Sequence, residues 1–325
     1  MNLTEFNQSD RCEHFSCPER SVSPAVYILL YVCSAAVVLL TVCGNLLVII
    51  SVLHFKQLHT PTNMLVLSLA VSDFFIGIFM MLPLFIWSIE SCWIFDTGYC
   101  TCWMLTSFFL VTISIYNIVL IAVDRYLALA NPFLYTNMIS RRTMCIVVYI
   151  NWFVWLVYNT ALCYFNGNFT SSVMCPGECL VIVNEVLSVI DLVVSFIFPL
   201  SVIIILYTRV FVIAKKHATA IRELNNHTRP KTQKITSHSE RKAAKVLGIL
   251  VSVFLVCLLP YFIYSLLDNV IELQTETFHF ILICLNSTIN PVIYALFYPW
   301  FRRCFKLTIT LQIFQTDSAL INVLS

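Results

Sequence analysis

The chain has 325 residues, of which 59% are apolar and only 11% are charged, and its mean hydropathy is +0.86. Soluble domains carry about 25% charged residues, so this composition excludes an ordinary soluble domain and indicates an integral membrane protein. The net charge of +2 gives no support for a nucleic-acid partner.

The first 24 residues are polar and contain N-glycosylation sequons at Asn2 and Asn7. They lack the apolar stretch of a signal peptide. We therefore predict an extracellular tail at 1–24, a transmembrane domain at 25–298, and an amphipathic helix with a cytosolic tail at 299–325.

Seven apolar stretches make up the transmembrane domain, and each is long enough for a helix that crosses the hydrocarbon core of a bilayer. We number them span 1 to span 7 in chain order: 25–53, 63–88, 99–123, 143–164, 186–213, 243–267 and 277–298. The pattern predicts an all-α membrane protein with a seven-transmembrane helix bundle.

The orientation follows from the positions of the basic residues. Lys and Arg lie in loops 1–2, 3–4 and 5–6 and in the C-terminal tail, whereas loops 2–3, 4–5 and 6–7 contain neither. Because basic loops stay in the cytosol, the N-terminus is predicted outside and the C-terminus inside. A third sequon, at Asn168 in loop 4–5, then also lies outside.

Span 3 is predicted to be the central helix. It has no charged residue from Thr97 through Val123, and the triplet Asp124-Arg125-Tyr126 follows directly. Its polar residues are too many for a helix that faces only lipid, which indicates that protein surrounds it. These residues are Ser107, Thr112, Ser114 and Asn117.

Two carboxylates lie within the spans, Asp73 in span 2 and Asp191 in span 5. An ionised group inside the membrane is costly and marks a candidate functional site. Several polar residues of spans 1, 3 and 7 could surround Asp73 in a core network, namely Asn45, Ser114, Asn286, Ser287 and Asn290.

Asp191 is the predicted ligand anchor. Ser188 and Ser195 lie at i−3 and i+4 from it, on the same helix face. No span supplies a Lys or Arg at this depth, so the expected partner is a cation from outside; the alternative is a protonated or water-bound acid without a ligand role. The ligand's remaining contacts are predicted at Ser107, Phe108, Thr112, Tyr261, Phe262, Tyr264 and Trp87. The ring faces of the aromatic residues in this set also attract cations.

The sequence offers no catalytic constellation. It contains no metal-ligand spacing, no Gly-rich phosphate loop and no Ser/His/Asp set, so we predict that the protein is not an enzyme. It also lacks the charged rings of a channel and the paired broken helices of a secondary transporter, although a membrane transporter remains the alternative from another class.

Two further features concern cysteines. Seven cysteines lie in the predicted extracellular parts, where an oxidising environment favours at least one disulfide; they are Cys12, Cys17, Cys92, Cys100, Cys102, Cys175 and Cys179. On the cytosolic side, Trp300 to Lys306 is predicted to form a short amphipathic eighth helix, whose Cys304 is either palmitoylated or unmodified.

Motifs on all seven spans, in the correct order, resemble the rhodopsin-like G-protein-coupled receptors. They are Gly44-Asn45, Leu69-Ala-Val-Ser-Asp73, Asp124-Arg125-Tyr126, Trp152, Pro199 with Tyr207, Phe254 with Cys257-Leu-Leu-Pro260, and Asn290-Pro-Val-Ile-Tyr294. Within that family, the stretches His59–Asp73, Cys175–Glu185 and Ser239–Lys245 resemble the trace-amine-associated receptors, particularly their fish branch.

The resemblance implies a chemosensory receptor of the plasma membrane. Its ligand would be an extracellular amine, and its partner a heterotrimeric G protein of the stimulatory or olfactory type, which raises cyclic AMP. It also implies a location in the cilia of olfactory sensory neurons. The alternatives are a receptor for a biogenic amine transmitter and a receptor for a non-amine odorant.

The resemblance also implies roles for individual residues. The Asp73 network would hold an allosteric sodium ion, and Ile115, Pro199 and Phe254 would connect the ligand site to the cytosolic side. Arg125 would pair with Glu240 in the inactive state. On activation Arg125, Tyr207 and Tyr294 would face the G protein, with Ile139 adding contact surface. Leu258 replaces a tryptophan that is usual in span 6.

The same resemblance implies the extracellular bridges and the amine anchor. The disulfides would be Cys100–Cys179 and Cys17–Cys175, with Cys12 as the alternative to Cys17. The aspartate that holds the ammonium in most amine receptors corresponds to Ser107, whereas some fish members share the displaced acid at Asp191. Glu185 or Asp268 would hold a second charge of a diamine, or would be solvated at the rim.

Overall fold

The computed structural model describes residues 17, 23–167, 177, 179, 184–224, 248–249, 252–260, 263, 276–315 and 318–323. Within them, six helices are long and apolar enough to cross a membrane: Pro24–His54, Pro61–Glu90, Thr97–Ala130, Arg141–Gly167, Glu185–Ile213 and Phe280–Phe297. These helices correspond to spans 1–5 and span 7. Span 6 is described in part, and its residues 252–260 are helical.

The helices begin where local sequence signals favour an N-terminus. Pro24 and Pro61 occupy the first turns of spans 1 and 2, where a backbone N–H has no helical partner. Asp96 Oδ1 accepts a hydrogen bond from Tyr99 N at 2.8 Å at the start of span 3. The connections between spans 1 and 2 and between spans 3 and 4 are short, with a 3-10 turn at Lys56–Leu58 and a helix at Pro132–Met138.

Span 3 occupies the centre of the described bundle, as predicted. It packs against spans 2, 4 and 5. In its most apolar stretch 61% of the residues are buried, compared with 11% in span 4. Protein therefore surrounds span 3, whereas most of span 4 is left for lipid.

Spans 2 and 5 each contain a wider π-helical turn shortly after their carboxylates. The turn in span 2 is Ile76–Met81, after Asp73, and the turn in span 5 is Val193–Ile197, after Asp191. Each extra residue in a turn rotates the rest of the helix relative to its beginning, and such turns are frequent at functional sites. Neither turn was predicted from the sequence.

The eighth helix is present at Pro299–Ile309. Its Trp300, Phe301, Cys304 and Leu307 are buried, while Arg302 and Lys306 are exposed, so the helix is amphipathic. The residues that follow, 311–315 and 318–323, form a tail segment that packs against loop 1–2. Ser318 Oγ lies 2.9 Å from His54 Nε2, and Val323 N donates to Gln57 Oε1 at 3.2 Å.

Candidate functional site

Asp191 is held by hydroxyl groups from two spans. Its Oδ1 accepts hydrogen bonds from Ser195 Oγ at 2.7 Å and from Tyr158 Oη, in span 4, at 3.2 Å. Ser188 does not join this hydrogen-bonded set, because its side chain is exposed and makes no hydrogen bond to Asp191 in the described structure. Its contact with the ligand stays a prediction. Ser188 lies in the first turn of the helix that begins at Glu185, where the helix end is itself exposed.

Three aromatic residues pack beside this carboxylate, and we call Tyr116, Trp155 and Tyr158 the aromatic wall. The rings of Trp155 and Tyr158 meet edge to face, with their centroids 5.2 Å apart, and those of Tyr116 and Trp155 lie 4.0 Å apart. Tyr116 Oη donates to Val194 O at 2.7 Å, inside the wide turn of span 5. The wall therefore joins spans 3, 4 and 5 at the level of Asp191.

The aromatic wall was not predicted from the sequence. The available signal was the spacing of Trp155 and Tyr158, which lie three residues apart and therefore on one face of span 4. Among the residues that the structure describes, no Lys, Arg or His forms an ion pair with Asp191. The negative charge of this carboxylate thus has no described counter-ion.

The other predicted ligand residues differ in their surroundings. Ser107 is buried, and its Oγ has no hydrogen-bond partner among the described residues. Thr112 Oγ1 donates to Phe108 O at 2.8 Å, so this hydroxyl is used within span 3. Trp87 packs at 5.9 Å from the rings of Trp93 and Trp103. Tyr261, Phe262, Tyr264 and Asp268 lie outside the described residues, and Glu185 is exposed.

Asp73 is fully buried and accepts hydrogen bonds from spans 3 and 7. Ser114 Oγ and Ser287 Oγ donate to Oδ1 at 3.2 and 2.8 Å, and Asn290 Nδ2 donates to Oδ2 at 2.7 Å. Three of the five predicted neighbours therefore contact the carboxylate directly.

The remaining two neighbours present oxygen atoms instead. Asn45 Nδ2 donates to Thr41 O and Ser287 O at 2.9 and 3.1 Å. Asn45 Oδ1 and Asn286 Oδ1 are buried without a hydrogen-bond partner among the described residues. Carboxylate and amide oxygens are the ligands that hard cations prefer, so this donor set fits a small cation.

A small cavity borders this network on the side of span 6. Its polar lining comes from Ser114, Asn286 and Ser287. Its apolar lining includes the predicted connector residues Ile115 and Phe254, together with Leu258, Ile76, Val111 and Ile283. Leu258, at the position that resembles the usual tryptophan, thus lies at the boundary between the connector and the polar core.

The inner end of span 3 is organised around Asp124, whose side chain is 1% exposed. It accepts hydrogen bonds from Thr62 Oγ1 at 2.9 Å, from Tyr135 Oη at 2.7 Å and from Arg125 Nε at 2.9 Å. Burial, with the neighbouring Asp124 charge, raises the pKa of Tyr135, so this phenol remains a donor. Tyr135 was not predicted from the sequence, and the predicted partner Glu240 lies outside the described residues.

The remaining predicted coupling residues are buried or half-buried. The hydroxyls of Tyr207 and Tyr294 are buried without a hydrogen-bond partner among the described residues. Pro199 is buried, and Tyr126 and Ile139 are half-buried.

Two disulfides tie the predicted extracellular parts together. Cys100–Cys179 is present as predicted, with the Cα atoms 5.6 Å apart. The predicted Cys17–Cys175 bridge is wrong, because Cys17 pairs with Cys92 instead, at a Cα separation of 5.5 Å. Cys175, Cys12 and the three sequon residues Asn2, Asn7 and Asn168 lie outside the described residues.

The position of Cys92 accounts for this pairing. The helix of span 2 ends at Glu90, the next residue Ser91 has a left-handed backbone (φ 54°), and the chain then turns toward loop 4–5. Trp93 N donates to Gly177 O at 2.8 Å, and Cys92 Sγ lies 3.6 Å from the same oxygen. Cys92 therefore lies beside loop 4–5, the loop that contains the predicted partner Cys175. From this position Cys92 forms the disulfide with Cys17.

Comparison with known proteins assigns the family. Residues 44–294 match the model of the seven-transmembrane receptors of the rhodopsin family. The chain is 39% identical to trace amine-associated receptor 13c of Danio rerio, over 99% of this chain and 98% of that protein. It is 36% identical to trace amine-associated receptor 1 of Macaca mulatta (94% and 95%) and 37% identical to trace amine-associated receptor 6 of Rattus norvegicus (95% and 93%).

The family match confirms the predicted seven-helix bundle. Receptors of this family are multi-pass proteins of the plasma membrane that signal through heterotrimeric G proteins and are not enzymes. The chain therefore belongs to the trace amine-associated receptors, within the rhodopsin family of seven-transmembrane receptors.

Proposed function

We propose that this protein is a chemosensory receptor for extracellular amines, and that the protonated amine pairs with Asp191. One observation above all supports the proposal: Oδ1 of this intramembrane carboxylate is fixed by Ser195 and Tyr158, while no described basic residue neutralises its charge. A buried charge without a partner is costly, so a cationic ligand is strongly favoured there. The names of the relatives, trace amine-associated receptors, agree with this ligand class.

In this proposal the ligand enters from outside and lies with its apolar part toward the centre of the bundle. Phe108 and Trp87 would contact that part, together with Tyr261, Phe262 and Tyr264 of span 6. The buried Ser107, at the position of the usual anchor, has no charge with which to neutralise the ammonium. The ligand is therefore oriented by span 5.

The proposed output is a rise in cyclic AMP through a stimulatory or olfactory G protein, in the cilia of olfactory sensory neurons. Outward movement of span 6 would expose Arg125, Tyr207 and Tyr294 to the G protein. The contact of Arg125 with Asp124, through Nε at 2.9 Å, supports a resting state in which Arg125 is held within the bundle. Arg125→Ala is expected to abolish the cyclic AMP response at unchanged surface expression.

We also propose that the Asp73 network binds an allosteric sodium ion. The proposal is supported by the buried oxygens of Asn45 and Asn286, which have no described donor, next to a carboxylate whose described partners are all neutral. Asp73 would supply the charge, and the amide and hydroxyl oxygens would complete the ligand set.

The amine proposal is tested by cyclic AMP responses to a panel of monoamines and diamines in transfected cells. Asp191→Ala and Asp191→Asn should each weaken the response by more than about 100-fold, because both leave the ammonium unpaired in a site of low dielectric constant. Ser107→Ala is the matched control and should change the response little. Wild-type responses from Asp191→Asn across the panel would show that the anchor lies elsewhere.

A further inference from the structure

We infer that Asp191, Ser195 and Tyr158 form a three-residue acceptor site that selects primary ammonium groups over their N-methylated derivatives. This inference rests on the proposed function and specifies its ligand class. It starts from the way in which the two hydroxyl groups are already used in the described structure.

The hydroxyl protons of Ser195 and Tyr158 both point to the same oxygen, Oδ1 of Asp191, at 2.7 and 3.2 Å. A hydroxyl group has one proton and two lone pairs. Because each proton is already donated to Asp191, both hydroxyl groups can only accept further hydrogen bonds. Asp191 Oδ2 accepts no hydrogen bond from any described residue. The site therefore offers carboxylate and hydroxyl oxygens, all of them acceptors, within a small region between spans 4 and 5.

A primary ammonium group matches this site because it carries three N–H donors. One donor can bind Asp191, and the other two can bind the oxygens of Ser195 and Tyr158. Each N-methylation removes one donor and adds a methyl group, so a tertiary ammonium can bind one acceptor only. The hydroxyl groups would then lose their solvent without a replacement donor, which weakens binding.

The aromatic wall adds a steric reason. Trp155 packs against Tyr158 at 5.2 Å and against Tyr116 at 4.0 Å, so the side of the site next to span 4 is filled by rings. Tyr116 is itself fixed by its 2.7 Å hydrogen bond to Val194 O. Extra N-methyl groups thus have no space on that side unless the wall is displaced.

The test uses the full-length receptor in cells with a cyclic AMP reporter. Hexylamine and 2-phenylethylamine are each compared with their N-methyl, N,N-dimethyl and N,N,N-trimethyl derivatives. In the wild-type receptor the concentration for half-maximal response should rise by at least about tenfold from the primary to the dimethyl form, the size expected for lost hydrogen bonds to a charged group.

Tyr158→Phe and Ser195→Ala should each reduce this selectivity by about fivefold, because they remove one acceptor but leave the carboxylate. The loss should fall on the primary amines, with little change for the dimethyl forms. The matched controls are Tyr149→Phe, an exposed tyrosine of span 4, and Ser201→Ala, an exposed serine of span 5 that bonds within its own helix. Both should keep the wild-type selectivity.

The inference is overturned if both variants change primary and dimethyl amines by the same factor, since a purely structural role predicts that result. It is also overturned if the wild-type receptor prefers the dimethyl forms. Failure of the underlying proposal has a different signature, because Asp191→Asn would then retain its responses to all of these amines. Comparing cells with equal surface expression removes any contribution from folding.

Discussion

Asn290 Nδ2 donates a hydrogen bond to Asp73 Oδ2 at 2.7 Å, and thereby joins spans 2 and 7 across 217 residues of sequence. Together with Ser114 and Ser287, it gives the buried carboxylate only neutral donors. Such donors stabilise the carboxylate but leave its charge in place. A cation at this position would therefore be stabilised by the same charge.

The first prediction concerns sodium. Asp73→Asn keeps the size of the side chain but removes its charge, so the potency of an amine agonist should no longer depend on sodium in the medium. In the wild-type receptor, exchange of sodium for N-methylglucamine should change that potency. Ser51→Ala, a buried serine of span 1 that bonds to Leu47 O, is the control. Equal sodium dependence in Asp73→Asn and the wild-type receptor would exclude the site.

The second prediction concerns the inner end of span 3. Tyr135→Phe removes the 2.7 Å hydrogen bond to Asp124, a contribution of about 1 kcal/mol. Because Asp124 also holds Arg125, cyclic AMP in the absence of agonist should rise by about two- to fivefold. Tyr149→Phe should leave this basal level unchanged. If the basal level of Tyr135→Phe equalled that of the wild type, this hydrogen bond would not stabilise the resting state.

The third prediction concerns the contact between spans 1 and 7. A Cβ atom on Gly44 would lie 2.7 Å from Pro291 Cβ and 2.9 Å from Pro291 Cγ. The rigid proline ring cannot move aside easily, so Gly44→Ala should destabilise the receptor by about 1–3 kcal/mol. Gly167→Ala is the control, because a Cβ atom on Gly167 would have no neighbour within 4 Å. Thermal unfolding in detergent measures the melting temperatures of both variants. Equal melting temperatures for Gly44→Ala and Gly167→Ala would contradict the close packing of Gly44 against Pro291.

The fourth prediction concerns the extracellular bridges. Peptide mapping without reduction should recover Cys17 linked to Cys92 and Cys100 linked to Cys179. Cys17→Ser and Cys92→Ser should lower the melting temperature by similar amounts, since either change opens the same loop, and the double variant should add little. A peptide that links Cys17 to Cys175 would refute the pairing.

The fifth prediction concerns pH. Burial raises the pKa of the Cys304 thiol to about 11. The folded state therefore favours the neutral thiol. The contribution of this thiol to the stability of the receptor is fully present below the pKa of the unfolded thiol, about 8.5. This contribution is lost as the pH rises toward the folded pKa of about 11. Iodoacetamide at pH 8 should label Cys304 much more slowly than the exposed Cys102 at the outer end of span 3, and unfolding should remove the difference. Equal labelling rates in the folded receptor would contradict the burial.

Hydropathy was sufficient to predict the spans, because a helix that crosses lipid must satisfy its own backbone and present apolar side chains. The Asp73 network was also predictable in outline. A membrane leaves few positions where Asn45, Asn286 and Asn290 are stable, and each such residue is expected to face the interior.

The contact between Tyr158 and Asp191 could not be predicted in the same way. It depends on how spans 4 and 5 are rotated about their axes, and the wide turn Val193–Ile197 changes that rotation within span 5. The i−3 spacing of an ideal helix predicted that Ser188 would lie beside Asp191. In the structure the Ser188 side chain is exposed at the end of the helix. Cys92 illustrates a similar limit, since seven outer cysteines allow many pairings and only the path of the chain after Ser91 selects among them.

The tail segment has a practical consequence for antibody reagents. Its Ile313, Ser318 and Val323 are buried, and Ser318 and Val323 are joined to loop 1–2 by contacts with His54 and Gln57. An antibody raised against a free peptide of this sequence can bind these side chains only when the segment has left the receptor. It would stain denatured protein on a blot and fail in native immunoprecipitation, whereas an epitope centred on Phe314, which is 82% exposed, would serve both assays.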